Sequence, residues 1–166
     1  MKNLLLSFSV SSLLLVSSVH AACTVSTPEI DRMEIQTIVI EKQASIASGL
    51  DSIEIDTRVA DDPYERAAGF QHVCAKAAKD YPIYFQFERS FISSFHMQNV
   101  FTDLDIAFID EANQIISIQR MKPNSLVALR QNLYSPPSPA WAALETAPGY
   151  YEENGIKIGD KVILLP

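Results

Sequence analysis

His96-Met97-Gln98-Asn99, with Asp103 and Asp105 close behind, sets an imidazole, a thioether, two amides and two carboxylates beside the most strand-like apolar run of the chain, Leu104 to Asp110. Groups of these types could exchange protons, line a polar cleft, or hold a soft metal ion. On a strand, His96 and Gln98 share one face and Met97 and Asn99 the other. His96 and Gln98 then read as a polar pocket wall, with Met97 packing inward. In the run that follows, Leu104, Ile106 and Phe108 face one way and Ala107 and Ile109 the other, as in a central strand. Asp105 in such a strand is partly buried and must find donors, either backbone amides or Arg66. Its bland role is to tie amides at a strand entrance. Its chemical role, if desolvation raised its pKa, would be that of a general base.

The more specific chemistries find little support. A Ser-His-Asp triad could use His96 with Asp103 or Asp105, but no Gly-x-Ser-x-Gly elbow accompanies them. His72, Cys74, His96 and Met97 match no closed metal-site spacing. The five glycines are scattered, so no phosphate-binding fingerprint exists and no cofactor is implied. Glu145 and Arg66 read as a structural ion pair.

Several elements must position these groups. Glu34 to Glu41 is rich in β-branched residues, and Ile53 to Val59 alternates apolar with charged positions, so both read as strands. Asp62-Pro63-Tyr64-Glu65 is a helix start: a capping aspartate, proline at the first helical position, and glutamate three residues beyond the cap. Tyr64, Ala67, Ala68 and Gln71 form one stripe of that helix, and Gly69 permits close approach. Cys74 to Lys79 continues the helix or begins another, and Asp80-Tyr81-Pro82 ends it. Ile83 to Phe87 is a strand with aromatics on one face. Further strands are expected on each side of Thr102-Asp103, over Gln114 to Met121, Trp141 to Glu145 and Lys161 to Leu165, with a helical turn at Tyr150 to Glu153. The proline-rich stretch through Tyr134 to Pro139 is a loop of the kind that often rims a site. The expected fold is α+β: a strongly curved, mostly antiparallel sheet or a partly open β-barrel with one or two short helices.

The 166 residues allow one domain. Met1-Lys2-Asn3, the apolar and Ser-rich Leu4 to Val19, and the small-x-small triplet ending at Ala21 read as a signal peptide over 1–21. The apolar part is shorter than the roughly 20 residues that span a bilayer. The expected mature chain is periplasmic or secreted, with a tail and extra strand over 22–50, a domain over 51–166 and no membrane span. Loss of the leader removes Lys2 alone among the charged residues, taking the balance from −7 to −8. Such a surface is a poor partner for nucleic acid, which needs clustered Lys and Arg. Cys23 and Cys74 could pair in an oxidising compartment. Cys23 could equally stay in a tail, Ala22 to Arg32, or carry a lipid, although His20 stands where a lipoprotein signal usually has leucine.

With these residues placed, the chain resembles the domain of unknown function 192 family. The family pattern Arg-x-x-Gly-aromatic reads here Arg66-Ala67-Ala68-Gly69-Phe70, and its Phe-rich strand is Ile83 to Phe87. Its Trp-Met-Lys-Asn-Thr phrase stands as His96-Met97-Gln98-Asn99-Val100, followed by Leu104-Asp105 and Phe108-Ile109-Asp110. Tyr134-Ser135-Pro136, Leu144-Glu145 with Gly149, and Gly159-Asp160 complete it. His96, Gln98 and Val100 depart from the pattern's tryptophan, lysine and threonine, so a pocket using that lysine has lost it here. The resemblance implies a curved, barrel-like β fold and supplies no activity.

The expected function is a non-catalytic binding module for a small polar ligand, glycan or peptide, in a cleft formed by His96, Gln98, Asn99, Asp105, Arg66, Glu145, Tyr134 and Trp141. The rival is a hydrolase or lyase using Asp105 or Glu145 as base with His96 as acid.

Overall fold

The computed structural model describes residues 23–43, 51–124 and 132–166. The segment 1–21, read as a signal peptide, and the expected Ser48-Gly49 loop lie outside the described residues. Among the described residues nine strands form: β1 Glu34–Glu41, β2 Ser52–Ala60, β3 Ile83–Phe91, β4 Phe95–His96, β5 Leu104–Ile109, β6 Ile115–Met121, β7 Leu133–Tyr134, β8 Ala140–Thr146 and β9 Lys161–Leu164. The helices are α1 Pro28–Arg32, α2 Pro63–Ala68 and α3 Tyr150–Glu153, with a 3-10 turn at Ala77–Lys79.

Seven strands make one sheet in the order β6-β5-β8-β3-β2-β1-β9, and β4 pairs with β7 in a separate two-stranded ribbon. Every pairing in the large sheet is antiparallel except β2 with β3. The fold is therefore mostly β, with three short helices, and no closed or curled barrel is found among the described residues. The edge strands β6 and β9 meet at the isolated bridge Gln114↔Lys161, beside which the Gly159 amide donates to the Ile115 carbonyl at 2.8 Å.

Alternation along the strands divides the core in two, because successive side chains leave opposite faces of a sheet. Ile83, Phe85, Leu104, Ile106, Phe108 and Ala143 join one cluster, together with Ile30 of α1 and Phe70 just beyond α2. Tyr84, Ala107, Ile109, Ala142 and Leu144 join the other, covered by Tyr151 of α3, whose hydroxyl donates to the Leu144 carbonyl at 2.6 Å. All six residues of β5 are buried, and its apolar side chains divide between the faces as the sequence pattern expects.

Three local expectations are corrected. Ala22 to Arg32 is not simply a tail. Thr27 caps α1 through the Ile30 amide, and Ile30 and Met33 are buried. Thr24 and Cys74 exchange backbone hydrogen bonds with the opposing segment. A disulfide joins Cys23 to Cys74, so the Cys23 sulfur is not free to carry a lipid. Second, α2 stops at Ala68 rather than reaching Gln71, because Gly69 turns the chain at φ 46°, ψ −134°. Third, the proline-rich stretch does contribute to the packing. It contains β7, and Pro136 is buried.

Candidate functional site

The site begins with α2. Asp62 accepts from the Glu65 amide at 2.8 Å and Pro63 opens the helix, which fixes where Arg66 emerges in its last turn. Arg66 Nη1 donates to the carbonyls of Asp61 and Gln86, the latter at 3.0 Å, so the guanidinium is tethered to β3 through one nitrogen. Beyond Gly69 the chain runs over Phe85 and Glu145. A Cβ built on Gly69 would stand 3.5 Å from Phe85 Cζ and 3.8 Å from Glu145 Oε2. Both are ordinary contacts, so the backbone angles rather than lack of room call for glycine here.

A cleft of about 420 Å³ opens between this turn, β3 and the segment Ser93 to His96. Its walls are aromatic. Phe85 and Phe95 meet edge to face at 5.1 Å, and Phe87 and Phe91 do so at 4.9 Å. Arg66, Glu88, Arg89, Ser93, His96 and Glu145 supply its polar groups.

Glu145 is the group that apolar packing explains least. It lies on β8 opposite Ile83 of β3 and Ile106 of β5, in the middle of the first core cluster. Only 5% of it is exposed. Its carboxyl forms no hydrogen bond or ion pair with another described residue. Burial pushes its pKa up to about 8, because water can no longer solvate the charge. Ser93, also 5% exposed, lines the same cleft with its hydroxyl unpartnered. Buried polar groups in folded proteins are nearly always hydrogen-bonded, so the orphaned Ser93 hydroxyl, sharing a cavity wall with a carboxyl that has no partner among the described residues, needs a reason.

Of the residues singled out in the sequence, the fold brings Arg66, His96 and Glu145 to this cleft. The expected Arg66–Glu145 ion pair does not form, since Arg66 spends its Nη1 on backbone carbonyls. Asp105 does not join them. It belongs to the opposite face of the sheet, beside Ala107 and Ile109, where Arg120 holds both its oxygens and the Gly149 amide donates to Oδ2 at 2.7 Å. With its oxygens engaged and its face turned away, Asp105 cannot serve as base to His96. The donor partner in its ladder is Arg120, not Arg66.

The amides also fall outside the lining. Gln98 is exposed, and Asn99, in the left-handed region at φ 57°, donates to Gln71 at 3.1 Å. Tyr134 pairs with Phe95 and its hydroxyl accepts from the Lys122 amide at 3.0 Å, while Trp141 packs on the opposite core. His96 Nδ1 accepts the Gln98 amide at 3.3 Å, which assigns the proton of the neutral ring to Nε2. The disulfide removes Cys74 as a metal ligand. Gly69, Phe70, Phe91, Ser93 and Phe95 line the cleft and were not singled out as site residues. The run of aromatics on one face of β3 was the signal that could have located it.

These features define a mostly-β domain with an aromatic cleft beside its sheet, into which a buried carboxyl is set. The chain belongs to the DUF192 family, described as an uncharacterised conserved group, whose profile matches residues 44–164. A search of curated proteins matches none. The fold resembles the crystal structure of a candidate transcription regulator from Sinorhizobium meliloti 1021, with a TM-score of 0.68 and 20% identity, over 80% of this chain and 95% of that one. It also resembles a protein of unknown function from Novosphingobium aromaticivorans DSM 12444, with a TM-score of 0.62 and 22% identity, over 79% of this chain and 86% of that one. At these identities the likeness concerns the fold.

Proposed function

We propose that this protein is an exported, non-catalytic binding module, and that its aromatic cleft takes a small polar ligand, a single sugar unit or a short peptide side chain. The observation that carries the reading is the Glu145 carboxyl, buried at the wall of an aromatic cavity without a partner among the described residues. A cavity of about 420 Å³ is within the range of small-molecule sites. Its few polar groups set among apolar walls match the usual anatomy of such sites. Export is supported by the leader-like 1–21 segment and by the Cys23–Cys74 disulfide, which suits an oxidising compartment. The regulator description of the Sinorhizobium neighbour lends no nucleic-acid role to a chain of net charge −7.

A second reading is favoured by one observation. Glu145, with its pKa near 8, holds a proton at neutral pH and shares the cleft with His96, as a general acid would. A thermal-shift screen of sugars, short peptides and carboxylic acids tests both readings. A ligand present at about 100 times its Kd stabilises by roughly 2.7 kcal/mol. That stabilisation should be lost in Phe91→Ala, which removes a wall of the cleft. Turnover of the bound compound, seen by mass spectrometry and abolished in Glu145→Gln with binding retained, would favour the acid. Hits that survive Phe91→Ala would move the site elsewhere.

A further inference from the structure

The cleft is chemically uneven in a way that narrows its occupant. Although the chain as a whole carries a net charge of −7, the cleft lining sets two arginines, Arg66 and Arg89, beside Glu88 and the buried Glu145. Arg66 is held by Nη1 alone, and no bond from its Nε or Nη2 to a described residue is seen. Arg89 makes no ion pair with a described residue and is exposed. A guanidinium anchored through one nitrogen presents its remaining donors in a fixed fork, the geometry that recognises a carboxylate. Farther in, the Ser93 hydroxyl has no partner among the described residues, and the buried Glu145 carboxyl, when protonated, donates as well as accepts. Between them the aromatic walls leave room for an apolar body.

We infer that the cleft selects small amphipathic carboxylates, an aromatic or branched apolar body ending in one carboxylate that the free donors of Arg66 hold, with Ser93 and Glu145 closing hydrogen bonds onto it. The inference rests on the cleft being a binding site, as proposed above. A protonated acid that meets a carboxylate forms a charge-assisted hydrogen bond, whereas an ionised one repels it. Binding should therefore weaken as Glu145 ionises. The charged and titratable groups facing the cleft with Glu145 are Arg66 from the α2 side, Glu88 and Arg89 from β3, and His96 from β4. From β5 it meets Ile106, with Asp105 on the far side of the sheet.

Calorimetric titration of the mature chain with 3-phenylpropionate, 3-phenylpropionamide and methyl β-glucopyranoside tests this. At pH 7 the acid should bind at least tenfold more tightly than its amide. Arg66→Gln should erase that preference while leaving the amide's affinity within twofold. Should Arg66→Gln not fold, Ser93→Ala and Arg89→Gln carry the test, each lowering affinity for the acid alone. Raising the pH from 7 to 9 should weaken the acid severalfold in the native protein and leave Glu145→Gln unchanged. Equal binding of acid and amide would overturn the carboxylate while keeping the cleft as a site. Binding of the glucoside alone would overturn it in favour of a sugar. If none of the three binds, the carboxylate inference falls, and the thermal-shift screen decides separately whether the cleft binds anything.

Discussion

Asp105 and Glu145 lie one step apart in the β5–β8 ladder, Asp105 across from Thr146 and Glu145 across from Ile106, and their side chains leave opposite faces of the sheet. That single step separates a structural carboxylate from a candidate functional one. Asp105 is fully engaged by Arg120 and the Gly149 amide, while Glu145 has no hydrogen-bond or ion-pair partner among the described residues.

The first prediction concerns Asp105. Removing one member of a buried pair costs about 3–5 kcal/mol. Here Arg120 keeps 43% of its side chain in solvent, so the loss is smaller, roughly 2 kcal/mol. Asp105→Ala should lower the Tm by roughly 4–8 °C for a chain of this size. His96→Ala, at a half-buried position in the short β4–β7 ribbon, should change it little. Thermal unfolding of both variants checks this, and a silent Asp105→Ala would remove the tie between β5 and the turn before α3.

Glu145 gives a pH prediction of definite sign. Its pKa is about 8 in the folded protein against an ordinary 4.5, so between those values the native state holds the proton more firmly than the unfolded chain. Its stabilising contribution is complete below about pH 4.5 and is lost as pH rises toward 8. The total is of order 5 kcal/mol. Glu145→Gln, which cannot ionise, should match the native protein near pH 5 and exceed it in stability at pH 9. Urea unfolding at the two pH values measures the difference. A constant gap would mean that the carboxyl is solvated.

The contrast between these two acids also shows what could be read from the chain. The alternation in Leu104 to Ile109 fixed which side chains share a face, and the Asp62-Pro63 cap located α2, because both signals are local. The site was only half legible. The pairing of His96 with Asp103 or Asp105 rests on nearness in sequence, across the break between two short strands at Thr102-Asp103. In the structure β4 leaves the main sheet to pair with β7, so face parity does not carry from one to the other. The cleft instead gathers residues from α2, β3, the Ser93 turn and β8, contacts set by strand order rather than by spacing. Thr27-Pro28 carries the same cap signature as Asp62-Pro63. It went unread because α1 is five residues long and buries only Ile30, too short for a period.

Gly69 should tolerate no side chain without cost. Its φ of 46° with ψ −134° is a combination that L residues rarely adopt, although the space beside Phe85 and Glu145 would admit a methyl group. Gly69→Ala should destabilise by about 1–2 kcal/mol through backbone strain alone. Because this turn covers Glu145, the variant should also weaken any ligand found in the cleft. Denaturant unfolding and a repeat of the ligand titration separate the two effects. An unchanged unfolding midpoint would show that the turn relaxes to a permitted conformation.

The Cys23–Cys74 bridge closes a sequence separation of 51 residues, for which loop-closure entropy predicts a stabilisation of about 4 kcal/mol. Its effect should be unevenly spread. The bridge stands beside the hydrogen bonds from Thr24 to His72 and from Cys74 to Thr24, and this short ladder leads into α1. Past it, the Arg58 guanidinium donates to the Ile30 carbonyl, and Ile30 and Met33 enter the core next to β2. Cys23→Ser should therefore free the segment from 23 to about 33 before the sheet opens. Hydrogen exchange should rise there first, while β5 and β8, buried at the centre, keep their protection. Mass spectrometry of the unreduced protein should find no alkylatable thiol. Two free thiols in that measurement would remove the bridge and leave α1 held by the Arg58 contact and the burial of Ile30 and Met33.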